Sequence, residues 1–289
     1  MNDAEGTGQD SILSYSDCRL CPRMCGISRD KGEKGFCGAG DQPIISSAFP
    51  HRGEESVLSG SSGSGTIFFC GCNLKCVFCQ NYDISSSTEH GNPVSIEKCV
   101  NIMLSLQTHG CHNINFVTPT HFTPTIVRAV KEARARGLTV PTVYNCGGYE
   151  DPNVLAELEP YIDIYMPDMK FLDSERSRIF LHAPDYPSAV KEAVSIMDRQ
   201  KGALEVKGSL AVQGLLIRHL VMPGGYEDSK QIIDFISAEL SSGTFVNIMG
   251  QYRPCHKAVN FKEIADYPVH AEISDLKEYA EGKGLRVSD

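Results

Sequence analysis

The 289-residue chain lacks the features that mark membrane-spanning, secreted and nucleic-acid-binding proteins. No stretch approaches the roughly 18 continuous apolar residues that a membrane span needs. The polar, acidic opening, residues 1–14, has neither the basic start nor the apolar segment of a signal peptide. The 27 Lys and Arg are outnumbered by 36 Asp and Glu, giving a net charge of −9, which argues against a polyanionic partner. We therefore expect a soluble, cytoplasmic protein that binds neither nucleic acid nor membranes.

The chain has the composition of an ordinary globular protein, with 41% hydrophobic and 22% charged residues. Its length allows two domains, although barrel folds reach about 250 residues as one domain. The unusual feature is the count of 12 cysteines. Because the chain is far longer than a disulfide-stapled mini-domain, these cysteines are interpreted as metal ligands in a reducing compartment, and not as crosslinks.

Changes of composition along the chain predict five segments. Residues 15–58 are rich in Gly and Cys and poor in apolar side chains, and residues 59–65 read Ser-Gly-Ser-Ser-Gly-Ser-Gly, which is typical of a flexible linker. The predicted organisation is a disordered tail (1–14), a small Cys-rich N-terminal lobe (15–58), a linker (59–65), a catalytic core (66–250) and a C-terminal extension with a short helix around 273–282 (251–289).

Six short apolar, β-rich runs recur in the core and alternate with helical patterns. They cover residues 66–70, 114–118, 139–144, 161–166, 215–222 and 244–249. Helix starts such as Asp151-Pro152 lie between them. Buried strands separated by helices predict an α/β fold with a parallel sheet, either doubly wound or a complete or partial barrel. In each case the active site lies beyond the carboxyl ends of the strands.

Directly after the first strand, Cys72, Cys76 and Cys79 form a C-x3-C-x2-C run with an aromatic residue before the last cysteine. Four thiolates usually hold a [4Fe-4S] cluster, so three close ligands leave one iron open to a substrate or cofactor, as in an open catalytic metal site. The alternative is a zinc site or a set of core cysteines. Zinc sites usually add a second C-x2-C pair, and none follows nearby.

This triad resembles the signature of the radical S-adenosylmethionine (SAM) enzymes. Further stretches resemble the pyruvate formate-lyase activating enzyme-like branch of that superfamily, and the resemblance spans nearly all of residues 15–260. These stretches are CRLCPRMCGISRDKGEKGFCG (18–38), GSGTIFF (63–69), NINFVTPTHFTP (113–124), VYNCGGYE (143–150), YIDIYMPDMKF (161–171), APDY (183–186), IRHLVMPG (217–224) and GQYRP (250–254).

The resemblance implies a partial (β/α)6 barrel of the TIM type, with a [4Fe-4S] cluster on Cys72, Cys76 and Cys79 and with SAM chelated to the open iron. It further implies reductive cleavage of SAM to a 5'-deoxyadenosyl radical that abstracts a hydrogen atom. An electron donor such as flavodoxin or ferredoxin would supply the electron. The substrate would be a glycyl radical enzyme or a small molecule, and a non-catalytic electron carrier is the alternative of a different class.

Polar residues at the strand ends are the candidates for binding SAM. The activating enzymes usually carry Gly-Gly-Glu after the second strand, whereas this sequence has Thr118-Pro119-Thr120-His121-Phe122, for which a turn at the start of a helix is the alternative. Strand alternation sends Arg218 and His219 to opposite faces, so one of them should enter the barrel. For His219 the alternative is a core histidine whose hydrogen bonds are satisfied. The full set of candidates is Thr118, Thr120, His121, Asn145, Asp168, Arg218 and His219, with Lys170 as a partner of Asp168.

A second cysteine set occupies the N-terminal lobe. Cys18, Cys21 and Cys25 are followed after eleven residues by Cys37, and a Gly-rich segment of this size rarely orders without a metal or crosslink. The spacing predicts a bound metal, either zinc or a second iron–sulfur cluster, since both accept four thiolates. The remaining cysteines are interpreted as small apolar core residues.

Overall fold

The computed structural model describes residues 12–288. Most of the predicted N-terminal tail, residues 1–11, lies outside this range. The last residues of the predicted tail do not behave as a tail, because Ile12 and Leu13 are half-buried and pack against the core.

The described residues form nine α-helices and ten strands. The helices are α1 (Ser56–Ser59), α2 (Tyr82–Ser85), α3 (Ile96–Thr108), α4 (Thr123–Ala135), α5 (Pro152–Leu158), α6 (Ser174–Leu181), α7 (Tyr186–Lys201), α8 (Tyr226–Glu239) and α9 (His270–Gly282). The strands are β1 (Ile44–His51), β2 (Ser64–Phe69), β3 (Asn92–Pro93), β4 (Ile114–Val117), β5 (Thr142–Cys146), β6 (Ile164–Pro167), β7 (Glu205–Lys207), β8 (Leu210–Leu220), β9 (Phe245–Met249) and β10 (Arg286–Val287).

Six parallel strands in the order β2-β4-β5-β6-β8-β9 make the centre of one sheet. They correspond to the six apolar runs of the sequence, so the predicted α/β class and partial six-stranded barrel are confirmed. The sheet does not close on itself. Antiparallel β1 extends it beyond β2, and β10, which follows the predicted C-terminal helix, pairs with β9 at the other edge.

The core surrounds this sheet on both faces, as expected for parallel strands covered by helices. All four residues of β6 are buried. Near the amino ends of the strands, Leu58 of α1 inserts into a cluster with Val143, Ile164 and Leu216. Helix α1 therefore fills the barrel at the end opposite the predicted active site.

The flexible linker predicted at 59–65 is not observed. Helix α1 ends at Ser59, β2 already begins at Ser64, and Ser64 is completely buried. A Cβ atom on Gly65 would lie 2.7 Å from the carbonyl oxygen of Asn113. Glycine is needed there because two backbones approach each other closely. Composition alone cannot tell such a glycine from one in a flexible linker. Since β1 pairs with β2, the N-terminal lobe also shares the sheet of the barrel.

Candidate active site

The three cysteines of the C-x3-C-x2-C run line a single cavity of about 600 Å³. Cys72, Cys76 and Cys79 lie in the loop after β2. The cavity walls also include the residues that follow β4, β5 and β6. The cavity therefore opens at the carboxyl ends of the parallel strands, where active sites of such folds lie.

Close packing fixes the conformation of the cysteine loop. Gly71 has φ 87°, and a Cβ atom there would lie 2.7 Å from the carbonyl oxygen of Cys37, so only glycine fits. Lys75 takes a left-handed conformation with φ 55°. The Asn73 amide nitrogen Nδ2 donates to the carbonyl oxygen of Tyr149 at 2.7 Å. The loop is thus held from both sides, which keeps the three thiols in place.

The surroundings of the thiols suit a cluster bound by three thiolates. The Leu74 amide donates to Cys72 Sγ at 3.3 Å, and Ser85 Oγ donates to Cys79 Sγ at 3.2 Å. Burial raises the pKa of the Cys72 and Cys76 thiols, and the nearby Lys170 ammonium opposes that shift. An iron core supplies far more positive charge than one lysine and deprotonates its thiol ligands.

In residues 12–288, no three Cys, His, Asp or Glu side chains are arranged so that they could hold one metal ion. A single zinc ion needs its ligands converged on one point. A [4Fe-4S] core takes one thiolate on each iron, so its cysteines are spread around it. Cys72, Cys76 and Cys79 line one cavity, as the ligands of a cluster do.

Side chains from the strand ends complete the cavity wall. Thr118 after β4, Asn145 in β5, and Asp168 and Lys170 after β6 all line it. Thr118 has φ 56°, which is strained for a β-branched residue, and such strain is concentrated at functional sites. Lys170 Nζ lies 2.5 Å from Asp168 Oδ2. Burial lowers the pKa of Lys170, but the attraction of Asp168, together with smaller contributions from Cys76 and Tyr186, raises it overall.

The floor of the cavity carries a charged network that the sequence did not predict. Arg218 Nε donates to Glu55 Oε1 at 2.8 Å, and Arg218 Nη2 also contacts Glu54. Asn247 Nδ2 donates to Glu55 Oε1 at 2.7 Å, and Asn115 Nδ2 donates to Glu54 Oε1 at 3.3 Å. Burial raises the pKa of Glu55, but the ion pair with Arg218 and the hydrogen bond from Asn247 together lower it, so the net shift is downward.

A family model for the radical SAM superfamily matches residues 66–236, which is more than half of the chain. The chain belongs to the radical SAM superfamily. Members of this superfamily are enzymes that use a [4Fe-4S] cluster and SAM, so the chain is a radical SAM enzyme with these cofactors. The sequence-based resemblance to the superfamily is confirmed.

Two curated relatives extend this comparison. An uncharacterized protein of Methanocaldococcus jannaschii is 33% identical over 278 residues, covering 94% of this chain and 76% of the relative. The pyruvate formate-lyase-activating enzyme of Staphylococcus epidermidis is 23% identical over 190 residues, covering 63% of this chain and 68% of that enzyme. The second match supports a relationship to the activating enzymes.

Two solved structures share the fold. Streptococcus suis SuiB bound to SAM has a TM-score of 0.51 and 15% identity, over 75% of this chain and 47% of SuiB. Methylornithine synthase (PylB) has a TM-score of 0.52 and 15% identity, over 75% of this chain and 60% of the synthase. The chain therefore spans about half to three fifths of the length of these structures.

Three of the predicted SAM contacts lie outside the radical SAM cavity, so their prediction as cofactor ligands needs correction. The Thr120 hydroxyl donates to Glu150 at 2.7 Å, and His121 Nε2 lies 2.8 Å from the Cys70 carbonyl oxygen. His219 is bonded to the Met169 carbonyl oxygen and to a serine hydroxyl. Burial lowers the pKa of His121 to about 3 and that of His219 to about 4, so both are neutral core residues.

Glu150 is a further buried carboxyl group that sequence reasoning missed. It accepts hydrogen bonds from Thr120 Oγ1 at 2.7 Å and from the Tyr144 hydroxyl at 3.0 Å. It is 1% exposed, and burial raises its pKa to about 7. Its neighbour Cys146 lines the cavity. No spacing in the sequence pointed to Glu150, because Thr120 follows a different strand and only the fold brings it close to Glu150.

The four N-terminal cysteines lie together behind the radical SAM loop. Cys18, Cys21, Cys25 and Cys37 line one small enclosed space, which Asn73 of the loop also borders. The sequence-based expectation of a metal at these cysteines stays a prediction at this point. Among residues 12–288, no helix is long and apolar enough to cross a membrane.

Proposed function

We propose that this radical SAM enzyme binds its [4Fe-4S] cluster through Cys72, Cys76 and Cys79 and abstracts a hydrogen atom from a substrate held in the adjoining cavity. The observation that carries the proposal is the position of the three thiols. They line one cavity of about 600 Å³ at the carboxyl ends of six parallel strands. Three protein ligands leave one iron free for SAM, as an open catalytic site requires.

A [4Fe-4S] cluster held by Cys72, Cys76 and Cys79 would supply the one-electron reduction of SAM that yields a 5'-deoxyadenosyl radical for hydrogen abstraction. The protein must orient SAM and keep water and reactive side chains away from the radical. We assign SAM orientation to Thr118, Asn145, Asp168 and Lys170, all of which border the cysteines. Arg218 is engaged by two glutamates, so we assign it to the substrate side of the cavity.

Activation of a glycyl radical enzyme is the favoured reaction. It is supported by the similarity to a pyruvate formate-lyase-activating enzyme and by the sequence stretches that resemble that branch. An electron donor of the flavodoxin or ferredoxin class would reduce the cluster. We infer a cytoplasmic location, because free thiols and a reduced cluster require a reducing compartment.

A small polar molecule is the second candidate substrate. The observation that favours it is the charged floor of the cavity, where Glu54, Glu55, Arg218 and Asn247 present carboxylate, guanidinium and amide groups together. A few convergent polar groups in a cavity of this size are typical of a small-molecule site. A backbone glycine offers little for such groups to recognise.

The test begins with the anaerobically reconstituted protein, dithionite and SAM, with 5'-deoxyadenosine measured by chromatography. We expect product from the native chain and from the control Cys99→Ala, and none from Cys72→Ala, Cys76→Ala or Cys79→Ala. A native protein that holds a full cluster but forms no 5'-deoxyadenosine would support an electron carrier instead. Deuterium transfer into 5'-deoxyadenosine, from a glycine-deuterated enzyme or from a labelled small molecule, then separates the two substrate classes.

A further inference from the structure

The four N-terminal cysteines surround a space that the fold keeps free. Cys18, Cys21, Cys25 and Cys37 all border it. At Gly35 a Cβ atom would lie only 2.8 Å from Cys25 Sγ, so a larger residue would displace that sulfur. Backbone bonds from Met24 to Cys21 and from Gly26 to Cys18 fold the C-x2-C-x3-C segment into tight turns. The chain thus brings four thiols from a 20-residue stretch, residues 18–37, to one place.

Arg29 lies beside these thiols without a carboxylate partner. It is 1% exposed, and its Nη1 lies 3.6 Å from Cys18 Sγ. Its other hydrogen bonds go to carbonyl oxygens, including that of His121 at 2.7 Å, and it lies over the rings of Tyr15 and Phe122. In the described part of the chain, no Asp or Glu is within salt-bridge distance of it. A buried charge is stable only when an opposite charge compensates it.

Arg23 borders the same space from another side and is half-buried. Its guanidinium donates to the carbonyl oxygens of Asn73, Leu181 and His182 and lies over the ring of Phe36. It likewise forms no salt bridge with a described carboxylate. Two guanidinium groups therefore border the four sulfurs. Neutral thiols would leave the charge of the buried Arg29 uncompensated. Thiolates bound to a metal centre supply the missing negative charge.

The positions of the four cysteines favour an iron–sulfur cluster over a single zinc ion. A zinc ion would need the sulfurs about 2.3 Å from one point. No three potential ligands among residues 12–288 have an arrangement that could hold one ion. The four cysteines nevertheless share one enclosed space, as cysteines do around a cluster with one thiolate on each iron.

We propose that Cys18, Cys21, Cys25 and Cys37 bind a second [4Fe-4S] cluster, with Arg23 and Arg29 compensating its charge. All four irons have a protein ligand, so this cluster does not bind SAM. The site packs against the radical SAM loop, because Arg23 Nε donates to the Asn73 carbonyl oxygen at 2.9 Å. The two clusters nevertheless have separate ligands, so each can be removed without touching the ligands of the other. The inference does not depend on the proposed substrate.

The deciding variant is Cys72→Ala/Cys76→Ala/Cys79→Ala, which leaves only the N-terminal site. After anaerobic purification we expect about four irons and about four sulfides per chain, no stoichiometric zinc, and a reduced-state paramagnetic resonance signal that SAM does not change. Adding Cys21→Ser/Cys25→Ser should abolish this iron, whereas adding the control Cys99→Ala should not. One zinc per chain without iron, or no metal at all, would overturn the proposal.

A complementary variant covers the case in which the triple variant does not fold. In Cys21→Ser/Cys25→Ser alone, iron should fall from about eight to about four per chain, and the remaining cluster should still respond to SAM. Iron that stays at the native content would contradict the proposal. If four irons remain in the triple variant while the native chain does not cleave SAM, the proposed function fails and the second cluster stands.

Discussion

Glu150 should make the stability of the protein depend on pH in a direction opposite to that of most carboxyl groups. Burial raises its pKa from the ordinary 4.5 to about 7. Between these values the unfolded chain releases the proton and the folded chain keeps it, so ionisation favours unfolding. The contribution is fully present below pH 4.5, is lost as the pH rises to 7, and amounts to about 3 kcal/mol.

The variant Glu150→Gln isolates this effect, because glutamine keeps the size of the side chain and removes the charge. We expect the stability of the variant relative to the native chain to rise by about 2–3 kcal/mol between pH 5 and pH 8. That change corresponds to a gain of roughly 4–10 °C in relative Tm for a protein of this size. Glutamine forms weaker hydrogen bonds with Thr120 and Tyr144, which lowers the stability of the variant equally at every pH. The change between pH 5 and pH 8 is therefore the informative quantity.

The assay is differential scanning of native and variant protein in the same metal state at pH 5, 6, 7 and 8. The exposed Glu157 provides a matched control, since Glu157→Gln should leave the difference from the native chain constant over this range. An infrared band of a protonated carboxyl group that disappears near pH 7 in the native chain and is absent in Glu150→Gln would identify the group directly. A stability difference for Glu150→Gln that does not change between pH 5 and pH 8 would refute the reasoning.

Three further outcomes follow from the site. Arg218→Met leaves Glu54 and Glu55 buried without the guanidinium and should lower the free energy of unfolding by about 3–5 kcal/mol, measured by urea denaturation. Partial recovery of stability when Glu55→Gln is added would support the loss of charge compensation as the cause. Gly71→Ala places a methyl group against the carbonyl oxygen of Cys37, so we expect loss of the radical SAM cluster, measured as lower iron content. An unchanged iron content would contradict the packing argument. Lys170→Met leaves Asp168 unpaired in the cavity and should weaken SAM binding at least tenfold, or about 1.4 kcal/mol, in a titration of the reduced-cluster signal. The control is Lys277→Met, since Lys277 is half-exposed and does not line the cavity.

The sequence alone determined the framework of this protein. Six apolar runs corresponded to the six central strands, because strand formation depends on local patterns of buried side chains. Cys72, Cys76 and Cys79 could be proposed as cluster ligands for the same reason, because residues close in sequence are close in any loop conformation. Alternation along β8 also showed that Arg218 and His219 face opposite ways, and the structure turns Arg218 into the cavity.

The tertiary structure decided which distant residues meet. Glu54 and Glu55 lie in a segment that composition assigned to a separate lobe, yet the pairing of β1 with β2 and the insertion of α1 carry them to the floor of the barrel. The sequence contained one signal for this contact: Arg218 or His219 was expected to enter the barrel, where a charged side chain needs a partner of opposite charge.

The same distinction explains the candidates that proved wrong. Thr120 and His121 follow a strand as Thr118 does, but a single turn of 3-10 helix directs them away from the cavity. The Gly/Ser run at 59–65 ends in a buried strand, where two backbones meet at Gly65. Local patterns specify elements and short-range ligand sets, whereas burial and charge compensation depend on contacts between residues far apart in the chain, and only the folded structure specifies those.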